Sequence, residues 1–392
     1  MPSHDLHSSA LKRVIEEVVA PGAGEVDATG GFPRKQITAL GEAGLLALTV
    51  PAEFGGAGAG PREAASVVRE LGAVCGSTAM VVTMHYAATA AITAAGRAGP
   101  LADIAAGRHL STLAFSESGS RSHFWAPLST ASSPDTASPP STGAPGDDAD
   151  ILLDASKSWV TSAGQADSYV WSSRPLSAPG PMTLWLVPGE AEGLTVAGAF
   201  DGLGLRGNAS APMSAAGVRV PREAMIGDDG AGLDLALAAV LPVFLICSAS
   251  MSAGLMRRLA EETAEHLRHT QLRHLGQSLA QQIQPRAQLA RLRIEADRTW
   301  ALIEQTIDAL EQGRPDAQLL VLEVKAAAAE AAADAADLAL RACGGAAFRK
   351  ESPVERLFRD SRAARVMAPT TEALHDFIGR ALCGLPLLGD VA

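Results

Sequence analysis

The sequence predicts an α+β multidomain chain in which a helical N-terminal domain, a small β domain and a C-terminal four-helix bundle follow one another. Three observations lead there. Helical spacing of apolar residues occupies both ends of the chain, a block of short β-like runs separates them, and 392 residues suit two or three domains. Strand and helix patterns do not alternate, so a doubly wound parallel sheet is not expected.

Residues 1–112 repeat apolar positions every three or four residues, broken by Pro21, Pro33, Pro51 and Pro61, and read as the helical domain. From 113 to 228 the runs shorten to STLAFS, ILLDASKSWVTS, SYVWSS, MTLWLVP and GLTVAGAF, divided by Gly, Pro, Asp and Ser, as in a β domain. Inside it, 131–150 has almost no apolar side chain beyond Ala and cannot offset the entropy of ordering, so a disordered insert between two strands is expected there. From 229 to 392 the helical period returns over 232–268, 276–312, 316–342 and 368–381, which makes a four-helix bundle.

Charge narrows the function. Lys plus Arg number 32 against 43 Asp plus Glu, a net charge of -11, so no basic field draws the chain to nucleic acid or to an anionic membrane surface. The apolar stretches Ser77–Ala95 and Leu233–Met256 contain His85 in the first and Asp234 and Pro242 in the second, which fits core helices better than membrane spans. Cys75, Cys247, Cys343 and Cys383 lie far apart and show neither disulfide nor metal-ligand spacing, and no metal is expected. The first residues lack the apolar core of a signal peptide, so a cytoplasmic location is expected.

Few motifs carry chemistry by themselves. A GxGxxG at Gly202, Gly204 and Gly207 lies within the β region and opens no helix, so it reads as a turn and not as a dinucleotide loop. In FSESGSRS, Phe115 to Ser122, backbone N–H groups and hydroxyls suit either an ordinary polar turn or a site for a flavin edge or phosphate. Trp159 and Thr161 are two apart in a strand pattern and should face one side, as a barrel-wall pair or as an aromatic wall with a hydroxyl beside a ring. Gly344 and Gly345 follow a helix, where a C-cap explains one glycine more readily than two.

Four segments in this order resemble the acyl-CoA dehydrogenase family of flavoproteins. They are FPRKQITALGEAGLLALTVPAEFGGAGAG (32–60), SKSWVTSAGQAD (156–167), GLGLRGNASAPMSAAGVRVPREAMIG (202–227) and CGGAAFRKESPVERLFRD (343–360). The resemblance implies that family's fold, with a β-barrel-like middle domain, and assembly as a homodimer or homotetramer with FAD between subunits. It places Phe115, Ser116, Gly119, Ser122, Trp159, Thr161 and Thr370 near the flavin or substrate, and Gly344 and Gly345 against the adenine half of a neighbouring subunit's FAD. Arg273 stands one residue from the position of the family's FAD-phosphate arginine, which aligns with Leu272.

The departures are as informative. α,β-Desaturation needs a carboxylate base to take the Cα proton while a hydride leaves Cβ. The family's two positions for that glutamate align with Ala368 and Phe244, and Glu372 lies about 6 Å further along a helix from the first of them. Branches of this fold that oxygenate instead of desaturating use reduced flavin and oxygen and lack that glutamate. His85, on an apolar helix, is either a donor in such a pocket or a hydrogen-bonded core histidine. The expectation is an FAD-dependent oxidoreductase, with desaturation of a CoA- or carrier-bound acyl thioester first, a flavin monooxygenase or oxidase as the alternative, and a flavin-binding protein without turnover third. The electron acceptor is an electron-transfer partner or oxygen, and the small-molecule substrate is otherwise open.

Overall fold

A computed structural model describes residues 2–120, 123–134 and 150–388. Among the described residues the first domain has six α-helices, α1 (Pro2–Val14), α2 (Ala20–Thr29), α3 (Arg34–Glu42), α4 (Pro61–Gly72), α5 (Gly76–Ala94) and α6 (Ala98–Ala105). Proline breaks the pattern where expected, and Pro61 sits in the first turn of α4, where its missing N–H costs nothing. α5 is the buried centre of this domain: every residue from Gly76 to Thr89 is buried.

Among the described residues, eight strands form the middle domain: β1 (Ser111–Ala114), β2 (Thr130–Ser132), β3 (Ile151–Val160), β4 (Ser168–Ser173), β5 (Thr183–Pro188), β6 (Leu194–Val196), β7 (Ala211–Val220) and β8 (Met225–Ile226). They make two four-stranded sheets, ordered β1-β4-β5-β8 and β2-β3-β7-β6. Trp171, Trp185, Tyr169, Leu153, Met213 and Val218 from both sheets share one core, which is the barrel-like arrangement expected. Residues 131 and 132 of the expected insert are not loop but the end of strand β2, paired antiparallel to β3; residues 135–149 lie outside the described ones. The glycines of the GxGxxG turn serve close packing. A Cβ on Gly204 would meet the Arg359 carbonyl oxygen at 2.5 Å, and one on Gly207 would meet Val26 at 2.3 Å.

The third domain opens with α7 (Gly232–Leu235), a wide turn at Ala236–Val240 and α8 (Leu241–His269). β9 (Gln271–Leu272) and β10 (Gln277–Ser278) form a hairpin, followed by α9 (Ile283–Glu311), α10 (Ala317–Cys343), α11 (Pro353–Asp360), α12 (Ala363–Val366) and α13 (Thr371–Leu382). The expected helix from 276 therefore starts at Ile283, because Gln277 and Ser278 pair with Leu272 and Gln271 and a short 3-10 turn at Leu279–Gln281 follows them. α8 is the axis, packed against α4, α5, α9 and α10. It approaches α4 closely because Gly72 and Gly254 face backbone: a Cβ on Gly254 would lie 2.0 Å from the Arg69 carbonyl oxygen. Gly232–His269 is long and apolar enough to cross a membrane, but 67% of its most apolar window is buried inside the protein.

Candidate active site

All three domains contribute to one cavity of about 540 Å³, part of it open to solvent. α5 supplies Met84, β1 and the chain leaving it supply Leu113, Phe115, Ser116 and Phe124, and β3 supplies Trp159. The entry to α8 supplies Ala236, Val240, Leu241 and Phe244, and the segment before α13 supplies Ala368 and Pro369. Among the described residues, Ser116 supplies the one hydroxyl in that lining, and no titratable side chain belongs to it.

Two local irregularities aim these side chains. Pro242 has no N–H for the helix, and just before it the Leu241 N–H reaches back five residues to the Ala236 carbonyl. The wide turn shifts the helical phase, so the consecutive residues Val240 and Leu241 both reach the cavity. In β3 the register slips between Lys157 and Val160, and Trp159 takes φ 53°. A positive φ on an aromatic residue costs about 1–3 kcal/mol and is held only where the surroundings enforce it. The bulge turns Trp159 out of the sheet, where it is 68% exposed, lines the cavity and meets Phe200 edge to face at 6.5 Å.

A buried ion pair stands behind that bulge. Lys157 is inaccessible and donates to Glu117 Oε1 at 2.5 Å, to the Ser172 carbonyl at 2.7 Å and to Ser172 Oγ at 2.9 Å, using all three ammonium donors. Glu117 also accepts from the Leu128 and Ser129 N–H groups and the Ser129 hydroxyl. Burial alone would raise the Glu117 carboxyl, but the Lys157 charge and these donors hold it below the usual range. The Ser158 N–H donates to the Ser116 carbonyl at 2.9 Å, so the segment bearing Phe115 and Ser116 is tied to the strand bearing Trp159.

Of the residues expected at the site, the structure brings Phe115, Ser116 and Trp159 together with both base positions, Phe244 and Ala368. It separates others. Thr161 does not share a face with Trp159: the bulge breaks the alternation, Thr161 is buried and its hydroxyl bonds Ser210 Oγ at 3.0 Å. Gly119 lies in an exposed turn against Leu128, and Ser122 lies outside the described residues. Thr370 caps α13, its Oγ1 accepting from the Ala373 N–H, beside the cavity but not in its lining. Arg273 is exposed between β9 and β10. Gly344 answers to its φ of 61° at the end of α10, whereas nothing within this chain crowds Gly345.

The two titratable candidates are also withdrawn from the cavity. His85 is inaccessible; its Nε2 faces the Leu46 carbonyl at 3.0 Å and its Nδ1 accepts from the Ser111 N–H at 3.1 Å. Burial pushes it down to about 4, so it is a neutral core histidine that fastens β1 to α5. Glu372 is exposed in the first turn of α13, outside the lining. Sequence reasoning missed Met84, Leu113, Phe124 and Pro369, whose one signal is apolarity, and Ala236 and Val240, which the wide turn had to deliver.

Profiles of the acyl-CoA dehydrogenase N-terminal, middle and C-terminal domains match residues 1–99, 113–218 and 230–383. The chain belongs to the acyl-CoA dehydrogenase family, FAD-dependent oxidoreductases acting on CH–CH groups. It is 24% identical to the probable acyl-CoA dehydrogenase FadE25 of Mycobacterium tuberculosis, over 97% of this chain and 95% of that protein. It is 26% identical to the human short-chain specific acyl-CoA dehydrogenase, mitochondrial, over 94% and 87%. Among solved structures, butyryl-CoA dehydrogenase from Megasphaera elsdenii superposes with a TM-score of 0.86 at 20% identity, covering 97% of this chain and 98% of that one. The lining has the chemistry that the flavin half of FAD, the family's cofactor, would need: Trp159 presents a strained, uncovered aromatic face, with Phe115 and the Ser116 hydroxyl in the same lining.

Proposed function

We propose that this chain oxygenates an apolar group presented as an acyl thioester, with an external two-electron donor (a reduced nicotinamide nucleotide or a reductase partner) reducing the flavin, one atom of O2 entering the substrate and the other leaving as water, in a pocket that supplies an apolar wall in place of a base. One observation carries the proposal: Phe244 and Ala368, the family's two base positions, line the same cavity, and among the described residues neither they nor any other lining residue is acidic.

FAD, when bound, supplies the two-electron redox chemistry. The chain's residues supply the surroundings. Trp159 and Phe115 are flat apolar walls, Ser116 places one hydroxyl, and Phe244, Met84 and Val240 keep water from the reacting carbon. Desaturation would leave the Cα proton without an acceptor in this wall, since His85 is sealed by its two backbone partners and Glu372 faces solvent. Oxygen chemistry asks for no carboxylate and benefits from an apolar lining.

A second reading is α,β-desaturation of an acyl thioester with electrons passed to a protein partner. It draws on the 24% and 26% identity, along nearly full chains, to proteins named acyl-CoA dehydrogenases. One experiment separates the two. Oxidised, FAD-loaded protein is mixed anaerobically with a panel of acyl-CoAs, and then reduced chemically and exposed to oxygen. The first reading expects no bleaching followed by rapid reoxidation; bleaching by an acyl-CoA sinks it in favour of desaturation.

A further inference from the structure

α10 is built from alanine, and Ala326, Ala328, Ala329, Ala332 and Ala333 are all buried. Lys325 sits on the same buried surface and is 1% exposed. A lysine with no use for its amine would be replaced there by an apolar residue at a gain in stability. Its Nζ donates to the Met367 carbonyl at 3.0 Å and to the Pro369 carbonyl at 2.7 Å. Those two carbonyls bracket Ala368, and Ala368 and Pro369 are wall residues of the cavity.

The contact does not depend on charge. Burial pushes the amine down to about 7 against the weaker pull of Glu372, the solvent-facing acid at the start of α13. A neutral amine still has two N–H groups, and two carbonyls receive them. Apart from the Thr370 cap of α13, the other ties of the segment between α11 and α13 lie N-terminal to Ala368: Ser361 donates to the Leu357 and Phe358 carbonyls, Arg362 stacks over Phe358, the Met367 N–H donates to the Ala363 carbonyl, and Arg365 pairs with Glu330 on α10 at 3.0 Å. Removing the amine would leave buried backbone acceptors with no partner.

The geometry points to Lys325 as a positioning residue that holds residues 367–369 as a wall of the substrate pocket from behind, without itself reaching the cavity. This rests on reading the cavity as the flavin and substrate pocket. Where the family's acid would project from position 368, this chain presents backbone pinned by a lysine, so Lys325 sets the width of the pocket at the point nearest the substrate's reacting end.

Lys325→Met keeps the stem and removes both donors. In FAD-loaded protein, amide hydrogen exchange over 362–373 should accelerate at least about ten-fold while α9 keeps wild-type rates. The variant should also bind octanoyl-CoA about ten-fold more weakly, read from the perturbation of flavin absorption. Lys325→Gln, with two N–H donors on a shorter stem, should fall between. Unchanged exchange over 362–373, or acceleration shared equally by α9, overturns the positioning role. Exchange is read without substrate, so octanoyl-CoA failing to perturb wild-type flavin counts against the functional reading, while exchange still decides Lys325. If Lys325→Met does not fold, the unmutated protein decides: an amine reagent should label Lys325 at the rate at which the 362–373 amides open, and faster labelling overturns the proposal.

Discussion

Two inaccessible lysines stand behind the cavity, Lys157 under the bulge that carries Trp159 and Lys325 behind Ala368 and Pro369, and they are satisfied in different ways. Lys157 meets a carboxylate, a carbonyl and a hydroxyl; Lys325 meets two carbonyls. The first region therefore needs a charged lysine, because Glu117 is buried with it. The second needs only donors. The β-domain wall is held by an ion pair whose halves depend on each other, and the bundle wall by hydrogen bonds that survive loss of the proton.

The difference predicts unequal damage. Lys157→Met leaves Glu117 as an uncompensated buried charge and should lower unfolding stability by about 3–5 kcal/mol, measured by chemical denaturation. Adding Glu117→Gln should restore at least half of that loss. No restoration would mean that the pair is not what holds the Trp159 wall.

A functional change reads the bundle wall. Ala368→Glu with Pro369→Gly places a carboxylate where the pocket has none, and general base catalysis contributes at least about 10²-fold. Anaerobic flavin bleaching by an acyl-CoA should rise by that factor over wild type. If wild type already bleaches and neither change speeds it, the base lies elsewhere and position 368 is not a catalytic vacancy.

Lys325→Met should cost less than Lys157→Met, about 1–3 kcal/mol, since it orphans carbonyls and no charge. Equal losses at the two lysines would erase the contrast.

The smallest effects are in pH, and their signs differ. Glu117 is held below its ordinary value of 4.5, so the stability it contributes is present above that pH and is lost as pH falls further. Lys325 is pushed from 10.5 to about 7 by burial, so above pH 7 the unfolded chain holds a proton that the folded chain has released, and stability rises with pH. Thermal midpoints of wild type should climb between pH 7 and 8, and Lys325→Met should flatten that interval; an unchanged slope in the variant would show that Lys325 does not titrate there.

The succession of helical, β and helical domains was legible in the sequence, because a change of apolar period from three or four residues to short β-like runs reports which faces are buried locally. The replacement of both acids was legible too, at Phe244 and Ala368, since it needed only motif positions. What the sequence could not show is set by partners distant in the chain. Period-two alternation put Trp159 and Thr161 on one face, and a register slip against β7 took Trp159 out of it. Whether His85 was a pocket donor or a core histidine stayed open until Leu46 and Ser111 claimed both its nitrogens, and Gly204 and Gly207, read correctly as a turn, gave no sign that Arg359 and Val26 would close on them. Lys325 was one charge in an alanine run; only the fold laid 367–369 across it. Local periodicity decides which surfaces are covered, but which polar atom meets which is decided by chain crossings, and those exist only once the three domains have packed.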